Sequence, residues 1–110
     1  MERFVKGDVV VFPFSYKNLS ETKKRPALAV AKLKGENVIL AQITTVKRED
    51  EDLVPLMKKD FQSGFLKHDS FIIPSIITTA ESSSILYKIG KIKQEKIKEV
   101  EKKLCEIFTR

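Results

Sequence analysis

The hydrophobic period of this chain changes once, at Gly90, and that change limits the folds open to it. Before Gly90 the apolar residues fall in short runs broken by Gly, Pro or polar clusters. These are Asp8–Phe12, Pro26–Leu33, Val38–Val46, Leu53–Met57, Ser70–Ile73, Ile76–Thr79 and Ile85–Ile89. Such runs read as strands. After Gly90, in Gln94–Phe108, Ile97, Val100, Leu104, Ile107 and Phe108 recur at steps of three and four, on one helical face. Lys96, Lys98, Glu99, Lys102 and Lys103 cover the rest, with Glu99 and Lys103 in the favourable i,i+4 order. Cys105 lies near the edge of the apolar face and reads as a small core residue. The pattern predicts a mainly β fold with a C-terminal α-helix: a small antiparallel barrel or curled sheet with the helix packed on it.

At 110 residues the chain should form one domain, residues 1–110, with the barrel over about 1–92 and the helix over about 94–108. It is 42% hydrophobic and 33% charged, neither disordered nor membrane-like. Its longest apolar runs, Val9–Phe14 and Val38–Ala41, fall far short of a bilayer span. Glu2, Arg3, Lys6 and Asp8 interrupt any signal segment, so the expected compartment is the cytoplasm. One cysteine and one histidine exclude an intrachain disulfide and the usual structural zinc sites, and no metal or cofactor is expected. His68, in Lys67-His68-Asp69, reads as an exposed turn residue rather than an acid–base group.

The net charge of +6 is unevenly spread. Residues 22–35 carry Lys23, Lys24, Arg25, Lys32 and Lys34 and no acid, whereas Glu49–Asp52 is wholly acidic. The basic stretch fits a solvated surface, or an anionic partner such as nucleic acid or an acidic protein segment.

The turn at Gly35-Glu36 suits a two-residue hairpin loop with Gly first. That loop, or a four-residue one, sets Ala27 opposite Thr44 and Arg25 opposite Val46. Arg25 and Thr44 then share a face as diagonal neighbours roughly 7 Å apart. A three-residue loop would reverse this, because a one-residue slip exchanges faces. Arg25 offers a planar fork of donors and Thr44 a hydroxyl, with Lys23 and Lys24 beside them: a candidate phosphate site. Elsewhere, Pro13 should end or bulge the first strand, Tyr16–Lys24 should be a loop, and Lys58–Ser63 one helical turn ending at Gly64. Asp8 should cap or orient the first strand. Phe12 and Phe14 share a face and read as core, which leaves Tyr16 as the aromatic to stack on a base.

Phe4-Val-Lys-Gly-Asp-Val-Val-Val-Phe-Pro-Phe-Ser15, Lys-Lys-Arg-Pro-Ala-Leu-Ala-Val30 and Val38-Ile-Leu-Ala-Gln-Ile-Thr-Thr45 together resemble the MazF/PemK toxins of toxin–antitoxin systems. Gly64-Phe65, Asp69-Ser-Phe-Ile-Ile73 and Lys88-Ile-Gly-Lys-Ile92 fit the same pattern, so the resemblance covers nearly the whole chain. It implies an SH3-like barrel, usually homodimeric, and a metal-independent, sequence-specific endoribonuclease acting on single-stranded RNA. It also implies a cognate antitoxin whose acidic tail covers the active surface. The family's Arg-Pro arginine falls on Arg25 and its third-strand threonine on Thr44, which makes these the expected catalytic pair. Lys23, Lys24, Tyr16 and Thr45 are the expected RNA contacts. The chain departs from the family where relatives carry an Asp-Gln or Glu-Gln pair and then a base: Ser75, Ile76 and Thr78 stand there. Two other readings fit the same fold: a toxin that poisons a protein such as a topoisomerase, and a relative that binds RNA without cutting it.

Overall fold

The computed structural model describes residues 3–15 and 22–110. Its strands are β1 (Asp8–Ser15), β2 (Thr22–Lys32), β3 (Asn37–Thr44), β4 (Val54–Leu56), β5 (Phe61–Gly64), β6 (Ser70–Glu81) and β7 (Tyr87–Ile92), followed by α1 (Gln94–Phe108). They form one seven-stranded sheet in the order β4-β6-β3-β2-β1-β7-β5, and every neighbouring pair is antiparallel.

That order forces the sheet to curl. β4 and β5 are its two edges, yet only residues 57–60 separate them in sequence. A flat seven-stranded sheet would hold its edges about 29 Å apart at ~4.8 Å per strand. The chain from Leu56 to Phe61 reaches at most about 18 Å. The result is the expected mainly β, half-barrel fold with one C-terminal helix.

Both faces of the central strands are buried. On one, Val9, Leu28, Ala41, Ile43, Val54, Leu56, Phe61, Ile72 and Ile92 pack with Ile97 and Val100 of α1. On the other, Val10, Ala27, Ala29, Val38, Leu40 and Ala80 pack with Phe4, Phe14 and Ile85, and Phe12 packs against them. Strand alternation makes the division: Val9 and Leu28 go to the helix side, Val10 and Ala27 to the other. The helix outruns the sheet. Ile97 and Val100 are buried and Leu104 half-buried, but Phe108 is 68% exposed. Cys105 is exposed, contrary to expectation, because it lies one residue past Leu104 and so about 100° further round the helix. Glu99 and Lys103 also differ from expectation. Lys96 takes Glu99, while Lys103 bridges to Glu106 and to Asp52 in the loop before β4.

The hairpin register differs from the expected one in an instructive way. Leu33 N–H donates to Asn37 O at 2.9 Å across a three-residue loop, with Gly35 at φ +72°. That single slip would reverse the faces. A bulge at Val30 then adds a second: Ala31 pairs with Ile39, but Ala29 pairs with Leu40 and Ala27 with Gln42. Two slips restore the faces and move the pairing along by two.

Other corrections follow from what each strand is paired with. Pro13 does not end β1; it lies past Val11, where the β7 pairing has stopped, so one side of the strand is already unpaired. Ser70–Ile73 and Ile76–Thr79 are one strand, not two, with Pro74, Ser75 and Ile76 left out of register between the pairs Ile73–Gln42 and Ile77–Ala41. The predicted helical turn over Lys58–Ser63 is a short 3-10 turn at Lys58–Asp60, after which β5 begins. The predicted strand Ile85–Ile89 lies instead at Tyr87–Ile92. There Gly64 and Gly90 face each other, and a Cβ on either would meet the opposing backbone carbonyl at 2.2 or 2.3 Å. Asp8, 2% exposed, accepts from Val5 N–H at 2.9 Å through Oδ2 and sets Oδ1 3.2 Å from Lys88 Nζ, holding the entry to β1.

Candidate nucleic-acid interface

Carried two residues past the Ala27–Gln42 pair, the β2–β3 register sets Arg25 directly opposite Thr44. Arg25 pairs with Phe12 on β1, and Thr44 pairs with Phe71 on β6. Directly paired residues of an antiparallel sheet point to the same side. Phe12, Arg25, Thr44 and Phe71 therefore form a row across four strands, on the face away from α1. Inward of this row lie Val10, Ala27 and Ile73, all buried, with the half-buried Gln42 between the last two. Arg25 and Thr44 thus stand where the apolar face gives way to polar groups.

Thr44 is 7% exposed, and its Oγ1 accepts from Val46 N–H at 3.1 Å. A hydroxyl has two lone pairs and one hydrogen, so this bond fixes the oxygen and leaves O–H to donate. Arg25 is half-buried, with Nε enclosed, so its guanidinium sits in the surface rather than above it. A guanidinium is a planar fork of donors that matches the oxygens of an oxyanion.

The structure separates the other expected contacts. Lys23 pairs with Phe14 and shares the Arg25 face; Lys24 pairs with Pro13 and points to the opposite one. Both are exposed, as is Thr45, which follows the last residue of β3. Tyr16 lies outside the described residues. The five positive charges of residues 22–35 do not form one patch. Lys32 and Lys34 sit at the turn end of the hairpin, about 30 Å along β2 from Lys23 at ~3.4 Å per residue. Lys32 Nζ donates to Gly35 O at 2.9 Å, closing the turn. Lys47 and Arg48, both exposed, follow β3 at its Thr44 end, ahead of the acidic run Glu49–Asp52. They and Phe71 were not among the expected site residues. The hairpin pattern held the signal for the first two, since whatever follows Thr44 must lie at the Arg25 end.

Ser75 and Ile76 lie in the β6 bulge, and Thr78 pairs with Leu40 further along the strand. His68 is exposed and accepts from Ser70 Oγ at 2.9 Å through its carbonyl. Among the described residues, no group of three or more His, Cys, Asp or Glu side chains could hold a metal ion. No described helix is long and apolar enough to cross a membrane. A cleft at the start of α1 is lined by Lys59, Lys93 and Lys96 and equally by Asp60, Glu95 and Glu99, a balance that gives an anion no advantage.

The same architecture occurs in solved structures. An endoribonuclease in complex with its cognate antitoxin, from a mycobacterial species, superposes with a TM-score of 0.76 at 14% identity, covering 96% of this chain and 95% of its own. MazF in a MazE–MazF crystal structure from Deinococcus radiodurans gives 0.74 at 14% identity, with 94% of each chain covered. The Mycobacterium tuberculosis toxin MazF-mt6 gives 0.67 at 18%, covering 90% and 95%. Among curated proteins none matches the chain by sequence. The family described as PemK-like, MazF-like toxin of type II toxin–antitoxin system matches residues 5–108, nearly the whole length, and the chain belongs to that family.

Proposed function

We propose that this toxin is a metal-independent endoribonuclease that cuts single-stranded RNA, works as a homodimer in the cytoplasm, and is neutralised by an antitoxin with an acidic segment. The observation that carries the reading is the register that sets Arg25 opposite Thr44 on the sheet face away from α1, in a chain of this family. Solved relatives described as endoribonucleases, one bound to its antitoxin, support it.

Without a metal, RNA is cut most simply by its own 2′-OH attacking the adjacent phosphorus. The 2′-oxygen–phosphorus bond forms and the bond to the 5′-oxygen breaks, leaving a cyclic phosphate and a 5′-OH. Negative charge builds on the non-bridging oxygens of the phosphorane, and donors aimed at them lower the barrier. Arg25 supplies that charge-assisted fork, and for the same reason it is a poor general base. Thr44 O–H binds a non-bridging oxygen or orients the attacking hydroxyl. Lys23, Lys47 and Arg48 hold the flanking phosphates. An acidic antitoxin segment would occupy the same face by charge complementarity.

The test is cleavage of a mapped RNA in EDTA, beside the same RNA with one 2′-deoxy nucleotide 5′ to the scissile phosphate. EDTA should leave cutting intact and the deoxy substitution should abolish it. Cutting of the deoxy substrate would rule out 2′-OH attack. RNA binding without cutting would favour the degenerate relative, and neither binding nor cutting would favour the protein poison.

A further inference from the structure

We infer that Phe71 is a base-stacking residue: its ring receives the base of a nucleotide flanking the phosphate held by Arg25 and Thr44. This rests on the RNA-cleaving reading above and adds a contact to it. Phe71 is the cross-strand partner of Thr44, so the two side chains leave the sheet on the same side, with Cα atoms about 5 Å apart. It is half-buried, neither sealed into the core nor free of it. Its partner on the far side is Pro55 of β4, an exposed residue that extends the apolar surface and offers no charge. The row thus runs from a fixed cation through a hydroxyl to an apolar shelf.

A single-stranded nucleotide has the matching sequence of parts, with an anionic phosphate and, one sugar away, a base with an apolar face. Stacking on an aromatic ring accepts any base and strengthens binding by about five- to a hundredfold per base. Phe12, at the other end of the row, is less suited. Its ring packs edge-on against Phe14 at 5.1 Å and lies against the buried cluster of Val10, Ala27 and Ala29.

Stacking also differs from mere structural support in what it predicts. A supporting phenylalanine would matter whatever RNA is offered. A stacking one matters only when the base is there.

The experiment is a cycle on the mapped RNA substrate, made intact and with an abasic nucleotide on either side of the scissile phosphate. Phe71→Ala should lower kcat/KM on intact RNA about tenfold or more, mostly through KM. Phe71→Leu should lose nearly as much, because it keeps apolar volume without a ring, whereas Phe71→Tyr should keep activity. On one of the two abasic substrates, wild type and Phe71→Ala should cut at equal rates. If Phe71→Ala does not fold, Phe71→Leu completes the cycle. Because the chain contains no tryptophan, Phe71→Trp adds a single fluorophore, which single-stranded RNA should quench and the RNA abasic at the coupled position should not. Wild-type cutting with equal losses on every substrate, or with no loss in Phe71→Leu, overturns the stacking role while leaving the nuclease reading intact. If wild type neither cuts nor binds RNA, the nuclease reading fails and the stacking role fails with it.

Discussion

Leu28 and Arg25 lie three residues apart on β2 and point to opposite faces of the sheet. Leu28 is 1% exposed and belongs to the core that α1 closes with Ile97 and Val100. That face is apolar along its length, from Val54 and Leu56 at one edge to Phe61 at the other. The Arg25 face turns polar at the row Val10, Ala27, Gln42 and Ile73, and beyond it come Arg25, Thr44 and the charges at the open end of the hairpin. The difference shows how one strand serves two ends. Hydrophobic closure on one side holds the backbone, so polar groups on the other are held in place by the strands that carry them.

If that division holds, the two positions should fail differently. Arg25→Ala should lower the cleavage rate about a hundredfold or more, the cost of removing one donor from a developing oxyanion, and should leave the melting temperature nearly unchanged. Arg25→Lys should recover part of the rate, since a point charge lacks the planar fork. Leu28→Ala should do the reverse. It should cost about 2–5 kcal/mol of stability in a denaturant titration, while cleavage per folded molecule stays nearly constant. A Leu28→Ala protein that is stable but slow would mean that the faces are coupled.

A smaller effect tests the polar end itself. Thr44→Val keeps the shape and removes one neutral hydrogen bond, about 0.5–1.5 kcal/mol, so the rate should fall about two- to tenfold. It also removes the acceptor for Val46 N–H, so residues 45–48 should exchange amide hydrogens faster than in the wild type. Unchanged exchange with a slow rate would place the whole effect on the substrate.

The two faces were not equally legible in the sequence. The helix side was plain, because alternation on β1–β3 and the three-and-four spacing of Ile97, Val100 and Leu104 both report burial, the strongest signal a sequence carries. The curl was implied by short strands but fixed only by β4 and β5 standing at opposite edges four residues apart, which periodicity does not encode. The spacing predicts Arg25 and Thr44 as diagonal neighbours through a register wrong twice over, whereas the structure sets them opposite each other. The turn holds three residues and Val30 bulges, and each slip alone would have separated the pair. Phe71 carries no such signal, because what sets it beside Thr44 is the β3–β6 register, a pairing of strands distant in sequence. The run of basic residues misled in the opposite way, since charges adjacent in sequence lie at both ends of an eleven-residue strand.

The smallest effect separates two adjacent residues, and it sharpens the comparison most. Lys23 and Lys24 are both exposed and carry equal charge, so composition does not distinguish them. The pairs Lys23–Phe14 and Lys24–Pro13 send them to opposite faces. An RNA on the Arg25 face is within reach of Lys23, while Lys24 acts across the sheet, and salt screens a charge beyond about 8–10 Å. A lysine that neutralises a phosphate of a single strand releases condensed counterions and contributes about 0.7 to the slope of log K against log salt. Lys23→Ala should therefore flatten the RNA-binding slope by about 0.7, with an affinity loss that shrinks as salt rises. Lys24→Ala should leave the slope as it is, with at most a small loss at low salt from the net charge. Equal slopes in the two variants would mean that RNA is held by the overall field of the open end and not by one face. A flatter slope in Lys24→Ala alone would put the RNA on the other side of β2, and Arg25 would then be out of its reach.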